Sequence, residues 1–408
     1  MLKRVAIENY RSCLRTTIDL HPHLSVLIGP NGSGKTNILQ AIMLLKKLAY
    51  DEEFRHLRKD PTSVPSHIKV LFQQRQMEVH MNAVVAASAR SSNNDSVSSL
   101  RQKWTMKGPS GKRASFEFPL GFAHGGRSVH GYWRNAVPYR YRLFGVSPDI
   151  PKWTVGPLAN IAEYCRGLRY YGASQFTNPG DCPVSFQIEE EEGKRRSVSR
   201  FRGHEKVLYG MYAAKKESSN PGYAQFIEIV GARGLRLIDD LIFREVRTSS
   251  VDYSVRVGGK LERRKRNRLL VIPQFRIGKQ KLSPNQLSEG TFKTLALLFH
   301  VITDEGTALL IEEPEVCVHH GLLSSILELV KSASSKKQMV LSTHSDYVLD
   351  HVEPENVYQV SFSRPAGTVV RHITKSMTSK QYSALREYLS QVGNLGEYWR
   401  EGGLGDRP

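Results

Sequence analysis

Cysteine is scarce in this chain, and what there is lies scattered. Cys13, Cys165, Cys182 and Cys317 form no CxxC pair and no zinc-ligand spacing. A disulfide framework and a zinc module are therefore set aside, and reduced cytosolic thiols are expected. Long apolar runs are also missing: no stretch reaches the roughly 18 to 20 residues that span a bilayer. Met1-Leu2-Lys3-Arg4 leads into a strand-like pattern and not into a secretory segment. The expectation is a cytoplasmic protein with no membrane partner. A sustained heptad is absent too, which excludes a long coiled-coil arm. Negative charge is in short supply, with 39 Asp and Glu against 58 Lys and Arg, a formal net charge of +19 over 408 residues. Such an excess calls for an acidic partner. The basic runs do not sit on amphipathic helices, so nucleic acid, DNA or RNA, is expected before a membrane surface.

Against this background one segment is dense with information. Leu24–Ile28 is a short apolar run that suits a buried strand, and Asn37–Tyr50 carries Ile38, Leu39, Ile42, Leu45 and Leu48 at helical spacing. Between them Gly29-Pro30-Asn31-Gly32-Ser33-Gly34-Lys35-Thr36 fits GxxxxGK[ST] in full. Glycines let the backbone curl so that successive N–H groups face phosphate oxygens, and the following helix adds its positive end. Asn31, Gly32, Ser33, Gly34, Lys35, Thr36 and Asn37 are thus candidate ATP-binding residues. Lys35 is expected on the β and γ phosphates and the Thr36 hydroxyl on Mg²⁺.

The C-terminal third narrows the class. Ala308–Ile311 is an apolar strand running into Glu312-Glu313-Pro314-Glu315. A carboxylate at that strand tip can support Mg²⁺, and the next can polarise an attacking water. Upstream, Leu287-Ser288-Glu289-Gly290-Thr291 opens a helical run, with Ser288 placed as its N-cap. Downstream, Thr343-His344-Ser345 follows the strand pattern Gln338–Ser342. Each has a plainer reading in isolation: a solvated acidic strand end, a common helix start, a structural histidine. Their order in one chain is what argues for one machine.

The set Gly29–Thr36, LSEGT, IEEPE and STHS resembles ABC-type ATPases of the SMC/RecF branch. Within that branch it is most similar to the heads of the OLD (overcoming lysogenisation defect) group and their stand-alone relatives. Glu8-Asn9-Tyr10-Arg11-Ser12 matches the N-[FY]-R-S segment of those heads. The resemblance covers about 1–50, 166–180 and 285–350. It implies an α/β fold, an ABC-type P-loop NTPase head with inserted β-rich and helical lobes. It implies Glu312 as the Mg²⁺-supporting acid, Glu313 as catalytic base and His344 as switch histidine. Ser288 and Gly290 would complete the site of a second copy, so that ATP joins two heads. Arg11 would lean toward the phosphates, or be a surface arginine. Gln175 would ligate Mg²⁺ from the Q-loop, or be a plain loop glutamine. The acid at 312 is glutamate where aspartate is commoner. Val316-Cys317-Val318-His319-His320 stands where relatives usually have Leu-His-Pro. OLD nucleases carry a TOPRIM domain after the ATPase; the segment 345–408 is too short for one. A separate effector, a nuclease or toxin, is then expected, as in stand-alone anti-phage ATPases.

The expected organisation is 1–50, the first part of the head; 51–164, an inserted lobe, mostly β, with a mobile loop near 90–100; and 165–186, a Q-loop-like return. A second, basic insert follows at 187–284, with helical patterns over His204–Lys216 and Tyr223–Phe243 and strands around Val251–Val257 and Leu269–Phe275. The head resumes at 285–365, and 366–408 forms a tail, partly ordered. Basic residues cluster at Lys260–Arg268, at Arg195, Arg196, Arg200 and Arg202, and at Arg127, Arg134, Arg140 and Arg142. They suit a phosphate backbone, a solvated hairpin tip or an acidic protein. Tyr398 and Trp399 in the tail could dock a partner or pack on the head.

Overall fold

The computed structural model describes residues 1–49, 65–87, 98–108, 111–120, 152–176, 178–191, 194–196, 201–217, 220–255, 261–316, 318 and 320–404. Two compact units emerge: 1–170 with 305–313 and 330–408, and 171–304 with 314–329.

In the first unit, β1 (Leu2–Tyr10) and β2 (Cys13–Asp19) form a hairpin whose turn is Arg11-Ser12, with Tyr10 opposite Cys13. Arg11 takes a left-handed φ of 53° to close it. β3 (Leu24–Ile28) is buried at every position and runs into the P-loop and α1 (Lys35–Ala49). The chain then lays down β4 (Ser66–Gln74), β5 (Met77–Ala87), β6 (Ser98–Lys107) and β7 (Arg113–Leu120), all antiparallel. They extend the β1–β2 hairpin into one six-stranded sheet, β2-β1-β4-β5-β6-β7. Alternation along β4 explains the pairing, with Ile68, Val70 and Phe72 buried. α2 (Lys152–Arg166) and β8 (Leu168–Gly172) follow. Of the loop expected near 90–100, positions 90–97 lie outside the described residues and 98–100 begin β6. Arg127, Arg134, Arg140 and Arg142 also lie outside them.

The second unit opens with a 3-10 turn at Ala173–Phe176, then β9 (Phe186–Glu191) and β10 (Lys194–Arg196). α3 (Gly203–Lys216) and α4 (Pro221–Val230) come next. A hairpin follows, β11 (Asp240–Val255) and β12 (Leu261–Ile277), continued by β13 (Gln280–Leu282) and α5 (Glu289–Thr303). The helix expected over Tyr223–Phe243 is corrected here, because it stops at Val230. Gly231 leaves helical geometry for an extended one, at φ −81° and ψ −169°, while donating its N–H to Ile227 O, and Leu235 N–H folds back onto Ile229 O. The strands expected around Val251–Val257 and Leu269–Phe275 are two arms of that single long hairpin. Aromatic packing fills this unit: Phe186 against Tyr209 and Tyr212, Tyr212 against Phe243, and Phe226 against Phe299.

The chain returns to the first unit with β14 (Ala308–Glu312). After α6 (His320–Ser334), which leaves the second unit and ends in the first, come β15 (Gln338–Thr343) and α7 (Asp346–Leu349). β16 (Val357–Ser363), β17 (Gly367–His372), α8 (Ser379–Gln391) and α9 (Leu395–Arg400) complete the fold. The core sheet runs β17-β16-β3-β15-β14-β8, with β16, β3, β15 and β14 parallel. Near-continuous burial of β3, β14 and β15 is what a parallel sheet requires. Each of their Leu, Ile and Val side chains contributes roughly 1.5–3 kcal/mol by leaving water. Residues 367–372 are thus a strand of the core sheet, and Trp399, 3% exposed, packs on the head. Cys13, Cys165 and Cys182 are buried free thiols. Among the described residues no helix is long and apolar enough to cross a membrane.

Candidate nucleotide site

The carboxyl ends of three parallel strands converge, which is where α/β sheets place their ligands. Ile28 of β3 pairs with Thr343 of β15, and Ser342 with Glu312 of β14. The P-loop, the acidic pair and His344 are thereby brought to one edge. All belong to the first unit.

The loop is held tightly. Gly32 and Gly34 have φ of 80° and 103°, which L side chains avoid. A Cβ on Gly34 would stand 2.0 Å from Thr368 Oγ1, and one on Gly29 2.0 Å from Val360 O. The β16–β17 pair therefore braces the loop from outside. Thr368 Oγ1 donates to Ser33 O at 3.0 Å and lies 2.8 Å from Ser12 Oγ. Asn37 Nδ2 donates to Ser12 Oγ at 2.7 Å. Arg11 reaches α1 through Asn37 Oδ1 at 3.4 Å and through Gln40 Oε1. Lys35, 5% exposed, donates to the carbonyls of Gly29 at 2.7 Å and Pro30 at 3.0 Å.

The acids behave differently from each other. Glu312 accepts from Thr36 Oγ1 on one oxygen and from the Tyr170 hydroxyl on the other. Burial first, and then the bond to Glu312, pushes the Tyr170 phenol well above its ordinary range, so it stays a donor. Glu313 has a left-handed φ of 47° and donates its N–H to Ser342 O at 2.9 Å. Such a conformation costs a non-glycine residue about 1–3 kcal/mol. Its Oε1 lies 3.6 Å from His344 Nδ1.

Two features fit a polyphosphate with Mg²⁺. The Ser33 hydroxyl is buried inside the loop with no hydrogen-bond partner, a cost seldom left standing in a native fold. Thr36 and Glu312 supply hard oxygens side by side. Among the described residues no cluster of three or more His, Cys, Asp or Glu could cage a metal. A hydroxyl plus one carboxylate, completed by phosphate oxygens, is how Mg²⁺ is usually held.

Ser288 and Gly290 lie in the second unit. Ser288 is exposed and caps α5, accepting from Thr291 N at 3.2 Å. Gln175 falls in the 3-10 turn of that unit, its side chain outside the described set. Asn31 and Gly32 are exposed at the loop's crest. Cys317 and His319 are outside the described residues. Sequence reasoning missed Tyr170, Ser12 and Thr368. Ser12 had a signal in the Glu8–Ser12 segment, and Tyr170 had one in standing three positions before the 3-10 turn that carries Gln175; Thr368 had none.

Family comparison agrees with this geometry. Residues 1–112 match the AAA ATPase domain family. Residues 190–350 match the family described as "AAA domain, putative AbiEii toxin, Type IV TA system". The DNA double-strand break repair Rad50 ATPase of Methanopyrus kandleri is 52% identical over 44 residues, 11% of this chain and 5% of that one. The DNA replication and repair protein RecF of Lactococcus lactis is 34% identical over 84 residues, 21% of this chain and 20% of that one. An SMC head solved with the C-winged helix domain of ScpA aligns over 94% of this chain and 99% of its own, at 14% identity and TM-score 0.49. The match to each of the two repair proteins thus spans a fifth or less of its length. The fold, the site and the two family matches are those of a P-loop AAA-type ATPase domain, with short stretches similar to Rad50 and RecF.

Proposed function

We propose that this chain is a Mg-ATP-dependent ATPase that dimerises around nucleotide and acts as a switch on nucleic acid, controlling a separate effector in anti-phage defence. The observation that carries the ATPase reading is the division of labour at β14. Glu312 is engaged with Thr36, while Glu313 is turned by its left-handed backbone to lie beside His344. Ser33, Gly34, Lys35 and the N-terminus of α1 would hold the phosphates, with Asn31, Gly32 and Asn37 flanking them and Arg11, in the β1–β2 turn, close by against α1. Thr36 and Glu312 would hold Mg²⁺, with Gln175 as a further ligand. When bound, that ion neutralises charge on the β and γ phosphates. Glu313 takes the proton of the attacking water as its oxygen bonds to the γ-phosphorus. The bond to the ADP oxygen breaks, and His344 orients the water and the departing phosphate. Ser288 and Gly290, at an exposed helix N-terminus, would close the site of the second copy.

Support for an effector comes from the toxin–antitoxin description of the family matching 190–350. Support for nucleic acid comes from the net charge of +19 and from relatives named for DNA repair. Those names equally favour a second reading, a RecF-like repair ATPase with no effector, or an ATP-gated clamp on DNA. Affinity purification from the native host separates them: a small nuclease or toxin that co-purifies supports the switch, replication proteins support repair. Hydrolysis is tested by Glu313→Gln. Phosphate release should fall at least about 100-fold, with nucleotide binding retained; unchanged release removes Glu313 from catalysis.

A further inference from the structure

Glu312 stands one methylene further from its backbone than the aspartate commoner at this position. A longer acid gains a rotatable bond, and a carboxylate that swings places its oxygens poorly for a metal that demands near-ideal octahedral geometry. In this structure both oxygens are occupied. Thr36 donates to one and Tyr170 to the other, so the carboxylate plane is pinned from two elements, α1 and β8. We infer that Tyr170 is a positioning residue for Mg²⁺, the phenol that makes a glutamate serviceable where this class more often uses aspartate.

Tyr170 is half-buried, and its hydroxyl bonds to Glu312 Oε2. Each carboxylate oxygen offers two lone-pair sites, so Glu312 Oε2 can accept from Tyr170 and still face a metal-bound water. Tyr171, the next residue, points into its own unit, where its hydroxyl donates to Lys293 O at 2.9 Å. The two tyrosines therefore have distinct roles. Outer-shell partners of this kind are worth about 10–100-fold in metal affinity.

This inference rests on the nucleotide reading above, and its test reads binding as well as turnover. Association of a fluorescent, non-hydrolysable ATP analogue is titrated against Mg²⁺ for the wild type, Tyr170→Phe, Glu312→Asp and the double variant. Tyr170→Phe should raise the half-saturating Mg²⁺ about 10-fold, leave metal-free analogue binding unchanged, and keep the thermal midpoint of the apoprotein within a few degrees. In the Glu312→Asp background the shorter acid cannot reach the phenol, so Tyr170→Phe should then change nothing. An unaltered Mg²⁺ requirement in Tyr170→Phe overturns the inference. So does an equal loss in both backgrounds, which would mean that the tyrosine acts through the fold. Analogue binding that ignores Mg²⁺ in the wild type also overturns the inference, whereas a wild type that binds no analogue at any Mg²⁺ concentration overturns the nucleotide reading itself.

Discussion

Thr368 shows what a single residue far along the chain can do for a loop near its start. Its hydroxyl bonds to Ser33 O and meets Ser12 Oγ, and its methyl lies 2.9 Å from where a Gly34 Cβ would stand. Thr368→Val keeps the shape and removes the hydroxyl. The cost should be about 0.5–1.5 kcal/mol for the lost hydrogen bond, more if Ser33 O is left dry. Nucleotide affinity should fall, because the loop loses the brace that fixes the Ser33 carbonyl just ahead of α1. Isothermal titration with ATP and a thermal melt check both, and an unchanged affinity would leave Thr368 a packing residue only. The P-loop was readable because its residues adjoin in the chain and carry special φ angles. Thr368 was not, since nothing local distinguishes a threonine in an alternating strand.

Among the elements, the basic hairpin departs most from its sequence impression. Lys194, Arg195 and Arg196 lie directly opposite Glu191, Glu190 and Glu189 of β9, and Asn267 and Arg268 of β12 flank Glu190 and Glu189 from the other side. By register alone, three glutamates of β9 therefore lie opposite three basic residues of β10, a pattern that favours cross-strand pairing. Beyond β9, among the described residues, the stretch from Leu261 to Arg266 pairs with β11 alone. There Arg263, Arg264, Lys265 and Arg266 stand in backbone register with Tyr253, Asp252, Val251 and Ser250. If phosphate contact resides in this arm, changing those four to serine should lower the salt slope of DNA binding by up to about 3.6, at 0.9 per contact. Arg195→Ser with Arg196→Ser should leave the slope near wild type and lower the thermal midpoint instead. Anisotropy with a duplex at several salt concentrations reads this, and equal slopes for all three proteins would move the interface elsewhere. Buried strands such as β3 and β14 were legible from apolar runs. This arm was not, because the charged stretch between the strands expected around Val251–Val257 and Leu269–Phe275 lacks an apolar period and reads as a break between them.

At the scale of the whole molecule, what matters is whether a copy can complete its own site. A head with exposed Ser288 at a helix N-terminus and a P-loop in a separate compact unit could in principle hydrolyse ATP alone or only in pairs. Mixing two inactive variants distinguishes these cases. Lys35→Ala spoils the loop and leaves the serine intact, and Ser288→Arg does the reverse. In a symmetric dimer with shared sites, a mixed pair contains one site with both parts sound and one with neither. Random pairing at equal concentration makes about half the dimers mixed, so about a quarter of wild-type turnover should return if the two sites fire independently. Each protein alone should stay near zero. A site confined to one chain predicts no recovery at any ratio, because no mixture gives a chain both halves. Scattering measurements of mass with Mg-ATP accompany the rates. Recovery of turnover without a dimer peak would argue for a short-lived pair, and a dimer peak without recovery would place Ser288 outside the reacting site.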